Sequence, residues 1–416
     1  MTPVLRKFGI NETYQLAMYL LDQYRGTILS CRHAIPSHPA PAVSRSQLEE
    51  AVKVAIVGTV LRHPMLQVAV IQLECLDLTQ HINWLYIGAD EDFELTPFPD
   101  LSIKQPGWNI TVIRQGDAPI MEVLLLWNHP QFDGAGARVF HEDLRDRSGG
   151  DIPKLPQAPL LLLAESSSSS QFLNRDVSQA IWCPIRSFPC KTQFRAFFVD
   201  ETSLVGILAL CRQNKTTITG LLNGLALIAF SSHLDSTVAP AFQSSTIIDH
   251  RRNLPPAPTD APWIRSDRAV CNYSWIRSKL PIDAKAGRGM PEELQREPWA
   301  VSAQNWLEIV RKLEGCLRND LVGLFKYVTD WQKTMSGMAK KPRQFTWLVT
   351  NIGVLDGNRS TRPSTTKPVD DHEWSIHRAQ FGLSAEIPAA AIEFAPFSVA
   401  GHGMCVSANW PDCAST

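Results

Sequence analysis

"WNHPQFDGAGARVF", Trp127 to Phe140, follows "MEVLLL", residues 121–126, five of whose six residues are apolar. A buried strand of that composition can end in a plain polar turn. This one delivers His129, then Asp133 and Gly134, and then a helix-forming run, "ARVFHEDLRDR". A strand end exposes side chains to a crevice while the sheet holds them rigid, and a glycine lets main chain approach a ligand closely. Imidazole, with an ordinary pKa of about 6.5, takes a proton near neutrality and returns it in the next step. Asp133 is placed either to orient that imidazole or to anchor the loop. The plain alternative is a surface histidine before a proline and an ordinary D-G turn.

The rest of the chain restricts the chemistry. Its 416 residues exceed the roughly 250 to 300 at which one core stops growing, so two domains are expected. Forty basic residues stand against forty-one acidic ones, a balance that gives no electrostatic case for nucleic acid or an anionic membrane. No apolar run reaches the roughly 18 to 20 residues of a membrane span, and "MTPVLRKFGINETYQ" lacks the apolar core of a signal peptide. A soluble cytoplasmic protein is the expectation. Nine cysteines without a C-x-x-C then read as reduced thiols, and the sequons at Asn11, Asn109, Asn214, Asn272 and Asn358 as chance matches.

Periodicity supplies a coarse map. "TYQLAMYLLDQY" and the segment from Ser46 through "LEEAVKVAIVGTVLRHP" read as helices, with Ser46 a candidate cap and Pro64 beyond the second end. "LQVAVIQL", "INWLYIG", "WNITVIRQ" and "IMEVLLLWN" read as strands. A Gly-, Pro- and Ser-rich stretch, "GGDIPKLPQAPLLLLAESSSSSQF", has the composition of a solvated connection and puts a junction within residues 148–190. Beyond it come a strand "TQFRAFFVD", a helix from near Thr202, and "TTITGLLNGLALIAFSSHL", whose Thr217 or Thr219 can cap an apolar helix. Strands return at "STIID", "FTWLVTNIGVLD" and "AAIEFAPFSVAGHGMCVSANW". Both halves are α/β.

The stretch "HPQFDGAGARVFHEDL", entered from an apolar strand and left through a helix, resembles the H-x-x-x-D-G motif of the coenzyme A-dependent acyltransferases. That superfamily includes chloramphenicol acetyltransferase, plant BAHD acyltransferases and peptide-synthetase condensation domains. Four further segments resemble it in the same order: "LRHPMLQV" (61–68), "ALCRQNKTTITGLLNGLALIAF", "IIDHRRNLPP" and "VTNIGVLD". The likeness is greatest to the fungal alcohol acetyltransferases, which include trichothecene-type enzymes. Three departures accompany it. The plant D-F-G-W-G motif is absent, Asn128 stands where condensation domains carry a second histidine, and Thr350 stands where the fungal pattern often has serine.

The resemblance implies two similar mixed-sheet domains of chloramphenicol acetyltransferase type, residues 1–165 and 191–416, joined by a crossover at 166–190, with an active-site tunnel between them. It implies an O-acyltransferase without a tightly bound cofactor, monomeric, with acyl-CoA, acetyl-CoA foremost, as co-substrate. The acceptor would be a small hydrophobic alcohol such as a terpenoid or polyketide. His129 would be the base; Asp133, Gly134 and an arginine of the second domain, Arg251 or alternatively Arg252, would hold its loop. Asn351 and Gly353 in "TNIG" are candidates for the tunnel wall or for stabilising an oxyanion, although Asn near a strand end is as readily a turn former. The competing readings keep the fold but bind or cyclise a metabolite without coenzyme A, or acylate nitrogen.

Other groups fit plainer roles. His63 reads as a helix-terminal residue at the negative end of its dipole, and His402 in "GHGM" as a hairpin residue. His372 and His377 are five apart, which matches no recognised metal-ligand signature, so no metal is expected. "GRGMPEE" and "DGAGAR" lack the strand-turn-helix spacing of a dinucleotide site, and no G-x-S-x-G elbow occurs.

Overall fold

The structure, a computed structural model, describes residues 8–36, 44–67, 82–87, 106–144, 191–234, 242–249, 251, 274–282, 298–314, 325, 327–341, 343, 345–356, 374–386, 388 and 390–412. The inferred junction at 148–190, Arg252, "GRGMPEE", His372 and the part of "LQVAVIQL" after Gln67 lie outside them. Leu66 and Gln67 themselves belong to a 3-10 turn, Pro64–Gln67.

The first half opens with α1 (Ile10–Leu20), β1 (Thr27–Ala34) and α2 (Arg45–Arg62). Glu12 reaches back to the Gly9 amide at 2.7 Å and starts α1. The cap of α2 is Ser44 and not Ser46: the Ser44 hydroxyl accepts from the Gln47 amide, and Gln47 Oε1 accepts from the Ser44 amide at 2.9 Å. That reciprocal pair satisfies two amides left without helical partners, and Ser46 sits too far into the turn to make it. Strands β2 (Ile82–Ile87), β3 (Trp108–Gln115) and β4 (Ile120–Trp127) follow, then α3 (Gly134–Asp143). The helix read from Ala137 begins earlier, because Asp133 accepts from the Gly136 amide and caps it.

The second half contains β5 (Thr192–Val199), α4 (Glu201–Gln213), α5 (Ile218–His233), β6 (Phe242–Asp249), β7 (Ser274–Ile282), α6 (Pro298–Glu314), α7 (Trp331–Ala339), β8 (Phe345–Val349) and β9 (Val354–Leu355). It ends with β10 (Ser375–Leu383), β11 (Ala390–Val399) and β12 (Gly403–Pro411). Thr217, the first of the two candidate caps, accepts from the Gly220 amide at the start of α5. "FTWLVTNIGVLD" is not one strand. The Asn351 side chain accepts from the Gly353 amide at 2.8 Å, and Gly353 turns to φ +93°, which breaks the run into β8 and β9.

Two mixed sheets result. The first runs β10-β1-β4-β3-β2, with β2 and β3 parallel and the other pairs antiparallel. The second runs β5-β12-β11-β8-β6-β7, with β9 beside β11; the pairs among β11, β8 and β6 are parallel. Because β10 crosses back into the first sheet, the two sheets do not divide at a single point in the sequence. The main core records the same crossover. Leu29, Ile56, Trp108, Leu125 and Phe140 of the first half share one apolar cluster with Phe381 of β10 and Phe397 of β11. Close packing across that seam holds the facing edges of the two sheets in fixed relation.

Candidate active site

The loop after β4 is tied down along its length. The Asn128 amide donates to Gly107 O at 2.6 Å, the Gln131 amide to Asn128 O at 3.1 Å, and the Trp127 indole N–H to Phe132 O at 2.8 Å. Trp127 and Phe132 also stack, with ring centroids 5.2 Å apart. The loop therefore has little conformational freedom left, and it ends at Asp133, which is fully buried.

Asp133 is met by Arg251, just beyond β6. Nη2 donates to Oδ1 at 2.8 Å and Nη1 to Oδ2 at 2.9 Å, the two-pronged geometry that suits guanidinium and carboxylate. Arg251 is itself held by Asp249, whose Oδ1 accepts from its amide at 2.9 Å and from Nη1 at 3.0 Å. The pair joins the loop of the first sheet to a strand end of the second. Each charge is buried, so removing either partner strands the other in a poorly solvating environment.

His129 is half-buried and lines a cavity of about 100 Å³. Burial holds its imidazole below the ordinary histidine value, while the Asp133 carboxylate and an interaction with its own main chain oppose that shift. The ring of Tyr24 packs edge-on against it with centroids 5.8 Å apart, and the Tyr24 hydroxyl is fixed to Thr27 Oγ1 at 2.5 Å. Gly134 stands beside them in the cavity wall. A Cβ there would lie 2.6 Å from Ile352 Cγ2 and 3.0 Å from Phe381 Cζ, so the close approach of α3 to the neighbouring β8–β9 turn and to β10 requires glycine.

The cavity draws its walls from both sheets: His129 and Phe381 from the first, Ile247, Asp249 and Leu348 from the second, with Thr350, Asn351 and Ile352 between. Tyr14, Gln15, Glu386 and Glu393 complete a distinctly polar part of the lining. The Tyr14 hydroxyl donates to Glu386 Oε1 at 2.9 Å. Burial raises both carboxyls, Glu386 to about 7, against the opposing effect of Arg343 on each.

No family model matches the chain. A relative from Fusarium pseudograminearum, named probable alcohol acetyltransferase FCK4, is 22% identical over 470 aligned positions, covering 98% of this chain and 91% of the relative. The solved structure of TRI3 trichothecene 15-O-acetyltransferase from Fusarium sporotrichioides aligns at a TM-score of 0.63 and 13% identity, covering 98% of this chain and 90% of that one. The chain has the fold of these acyltransferases. The first condensation domain of the calcium-dependent antibiotic synthetase shares it at a TM-score of 0.60 and 12% identity, over 99% of this chain and 91% of that domain. The resemblance to fungal acetyltransferases drawn from the ordered motifs is borne out, as is the two-sheet α/β architecture.

Within this acyltransferase fold the sequence candidates fall at different distances from the cavity. Asn351 lines it, but its amide is committed to the turn, donating to Thr219 Oγ1 at 3.2 Å while its oxygen takes the Gly353 amide. Gly353 is not among the lining residues and serves the turn. His63 caps α2 by position, yet its ring partner is a carboxylate, Asp143 Oδ2 at 2.8 Å. His402 does sit in the β11–β12 hairpin turn, stacked on His377 with centroids 4.5 Å apart. Among the described residues no three His, Cys, Asp or Glu side chains are grouped to hold a metal ion, and no helix is long and apolar enough to cross a membrane.

Sequence reasoning missed Tyr14, Tyr24, Glu386 and Glu393. One signal was available for Glu393: it is the sole charged residue in "AAIEFAPFSV", and strand alternation places it on a buried face.

Proposed function

We propose that the protein is an O-acyltransferase that moves an acyl group, acetyl in the first instance, from acyl-CoA to a hydroxyl of a hydrophobic secondary metabolite. One observation carries the reading: His129 lines a cavity walled by both sheets while Asp133, four residues on, has both carboxylate oxygens bound by Arg251. In this reading the histidine carries the proton and the aspartate holds the loop's shape. The full-length similarity to a fungal acetyltransferase supports the reaction class.

In this reading Nδ1 carries the proton and Nε2 the lone pair. Nε2 takes the proton of the acceptor hydroxyl as its oxygen attacks the thioester carbonyl. The C–S bond breaks on collapse of the tetrahedral adduct, and the imidazolium returns the proton to the coenzyme A thiolate. The depressed pKa keeps the ring neutral, and so ready to accept, at neutral pH.

The test supplies labelled acetyl-CoA and a panel of hydroxylated terpenoids and polyketides, following ester formation and thiol release. Direct transfer in a ternary complex gives intersecting initial-rate plots and no acylated protein in the absence of acceptor. Parallel plots with a stable acyl-protein adduct would sink the mechanism, and the absence of ester with every acceptor would sink the activity.

A further inference from the structure

Glu393 is only 2% exposed, and its Oε2 has no hydrogen-bond partner among the described residues. It nevertheless lines the same cavity as His129. A buried acceptor atom left unpaired is costly, and in native proteins the exceptions concentrate where something else supplies the missing donor. Two nearby donors among the described residues have other partners. Arg343, the adjacent cation, directs Nη1 to main-chain oxygens of Glu386 and Ala390, both at 2.9 Å. The Tyr14 hydroxyl is committed to Glu386 Oε1.

We propose that Glu386 and Glu393 form an acceptor-recognition subsite, in which Glu393 Oε2 takes a hydrogen bond from a second hydroxyl of the substrate, remote from the one acylated. The proposal rests on the acyltransferase reading and adds the kind of alcohol it takes: a diol or polyol on an apolar frame. Geometry supports the frame as well as the polar contact. The same cavity is lined by Leu348, Ile247, Phe381 and Leu383, which offer no competing donor from their side chains. With burial raising both carboxyls and Arg343 beside them, a neutral donor can be accommodated without adding charge to the site.

The probes are α,ω-diols from butane to octane, each matched with its mono-alcohol and its amino-alcohol, with acetyl-CoA as donor. In the parent, one chain length of diol is expected to exceed its mono-alcohol in kcat/KM by about three- to tenfold, the range for one hydrogen bond to an uncharged group. In Glu393→Leu that ratio should fall to about one. Leucine in place of a buried polar group that lacks a partner is commonly neutral or stabilising. Should that variant not fold, Glu393→Gln, which keeps one acceptor, should lower the ratio about twofold. A diol preference unchanged in the folded variant overturns the subsite, as does a parent without diol preference. A preference for the amino-alcohol overturns the hydroxyl assignment. Ligand-observed NMR reads the same ratio as relative Kd without turnover. Failure of acylation with preserved, Glu393-dependent diol binding therefore counts against the acyltransferase reading and leaves the subsite standing.

Discussion

The cavity is flanked by two sets of buried carboxylates that the protein treats in opposite ways. Asp133 is answered on every side: both oxygens receive Arg251, and Oδ1 also receives the Gly136 amide. Glu386 accepts from one tyrosine hydroxyl, Glu393 has the Glu386 main chain beside it, the nearby arginine spends its Nη1 on main-chain carbonyls, and Glu393 Oε2 has no partner among the described residues. A carboxylate fully satisfied within the protein can hold shape but has nothing to offer a ligand. One left short of a donor is poor structural material and good recognition material. The contrast separates scaffold from binding surface within a single cavity.

The contrast breaks most violently at the ion pair. Arg251→Ala and Asp133→Ala should each lower stability by about 3 to 5 kcal/mol, because each leaves a buried charge uncompensated. Denaturant melts of both single variants and the double variant measure the coupling. Strong coupling is expected, with turnover lost alongside soluble yield. Simple additivity would mean that the pair is not what joins the loop of the first sheet to β6.

Next in size is the histidine, which sharpens the contrast by touching chemistry without touching the scaffold. His129→Ala should leave the melting curve near that of the parent and reduce turnover on a true acceptor by roughly 100- to 10,000-fold, the usual range for losing a general base. His129→Gln should be about equally slow, since an amide cannot exchange the proton near neutrality. Turnover near the parent rate in either folded variant would remove His129 from the role of base.

The two walls also differ in how far they could be read from sequence. The β4–loop–α3 unit is written locally: an apolar run, a turn with Asp-Gly, then a helical period, all within about twenty residues of chain. The opposite wall is assembled from α1, the end of β10 and β11, far apart in sequence, and no local pattern joins Tyr14 to Glu386. Strands β1 and β10 escaped for a related reason. "TILSCRHA" and "SIHRAQFGL" place Ser, Arg and Gln on their less buried positions but bury His33, so tertiary pairing decides them more than hydrophobic alternation does. The split of β8 from β9 turns on one side-chain hydrogen bond, from the Gly353 amide to Asn351, which periodicity does not record.

The smallest expected effect is a pH dependence that reads the second set of carboxyls directly. Burial is the largest cause of the Glu386 shift from 4.5 to about 7; the hydrogen bond from Tyr14 and the charge of Arg343 oppose it. Glu393 is raised by burial first and then by Glu386. A carboxyl whose folded pKa lies above its unfolded one binds a proton more tightly when folded. Its contribution to stability is complete below about pH 4.5 and is lost as pH rises through about 7. The parent's melting temperature should therefore decline across that window relative to Glu386→Gln, whose amide does not titrate. His129 works in the other direction, since its lowered pKa makes protonation, and loss of folded stability, a feature of falling pH. Comparing melts of the parent, Glu386→Gln and His129→Gln from pH 4.5 to 8 separates the two contributions. A parent and Glu386→Gln that run parallel throughout would mean that the carboxyl does not titrate there, and the two sets of buried carboxylates would then be less different than their hydrogen bonds make them.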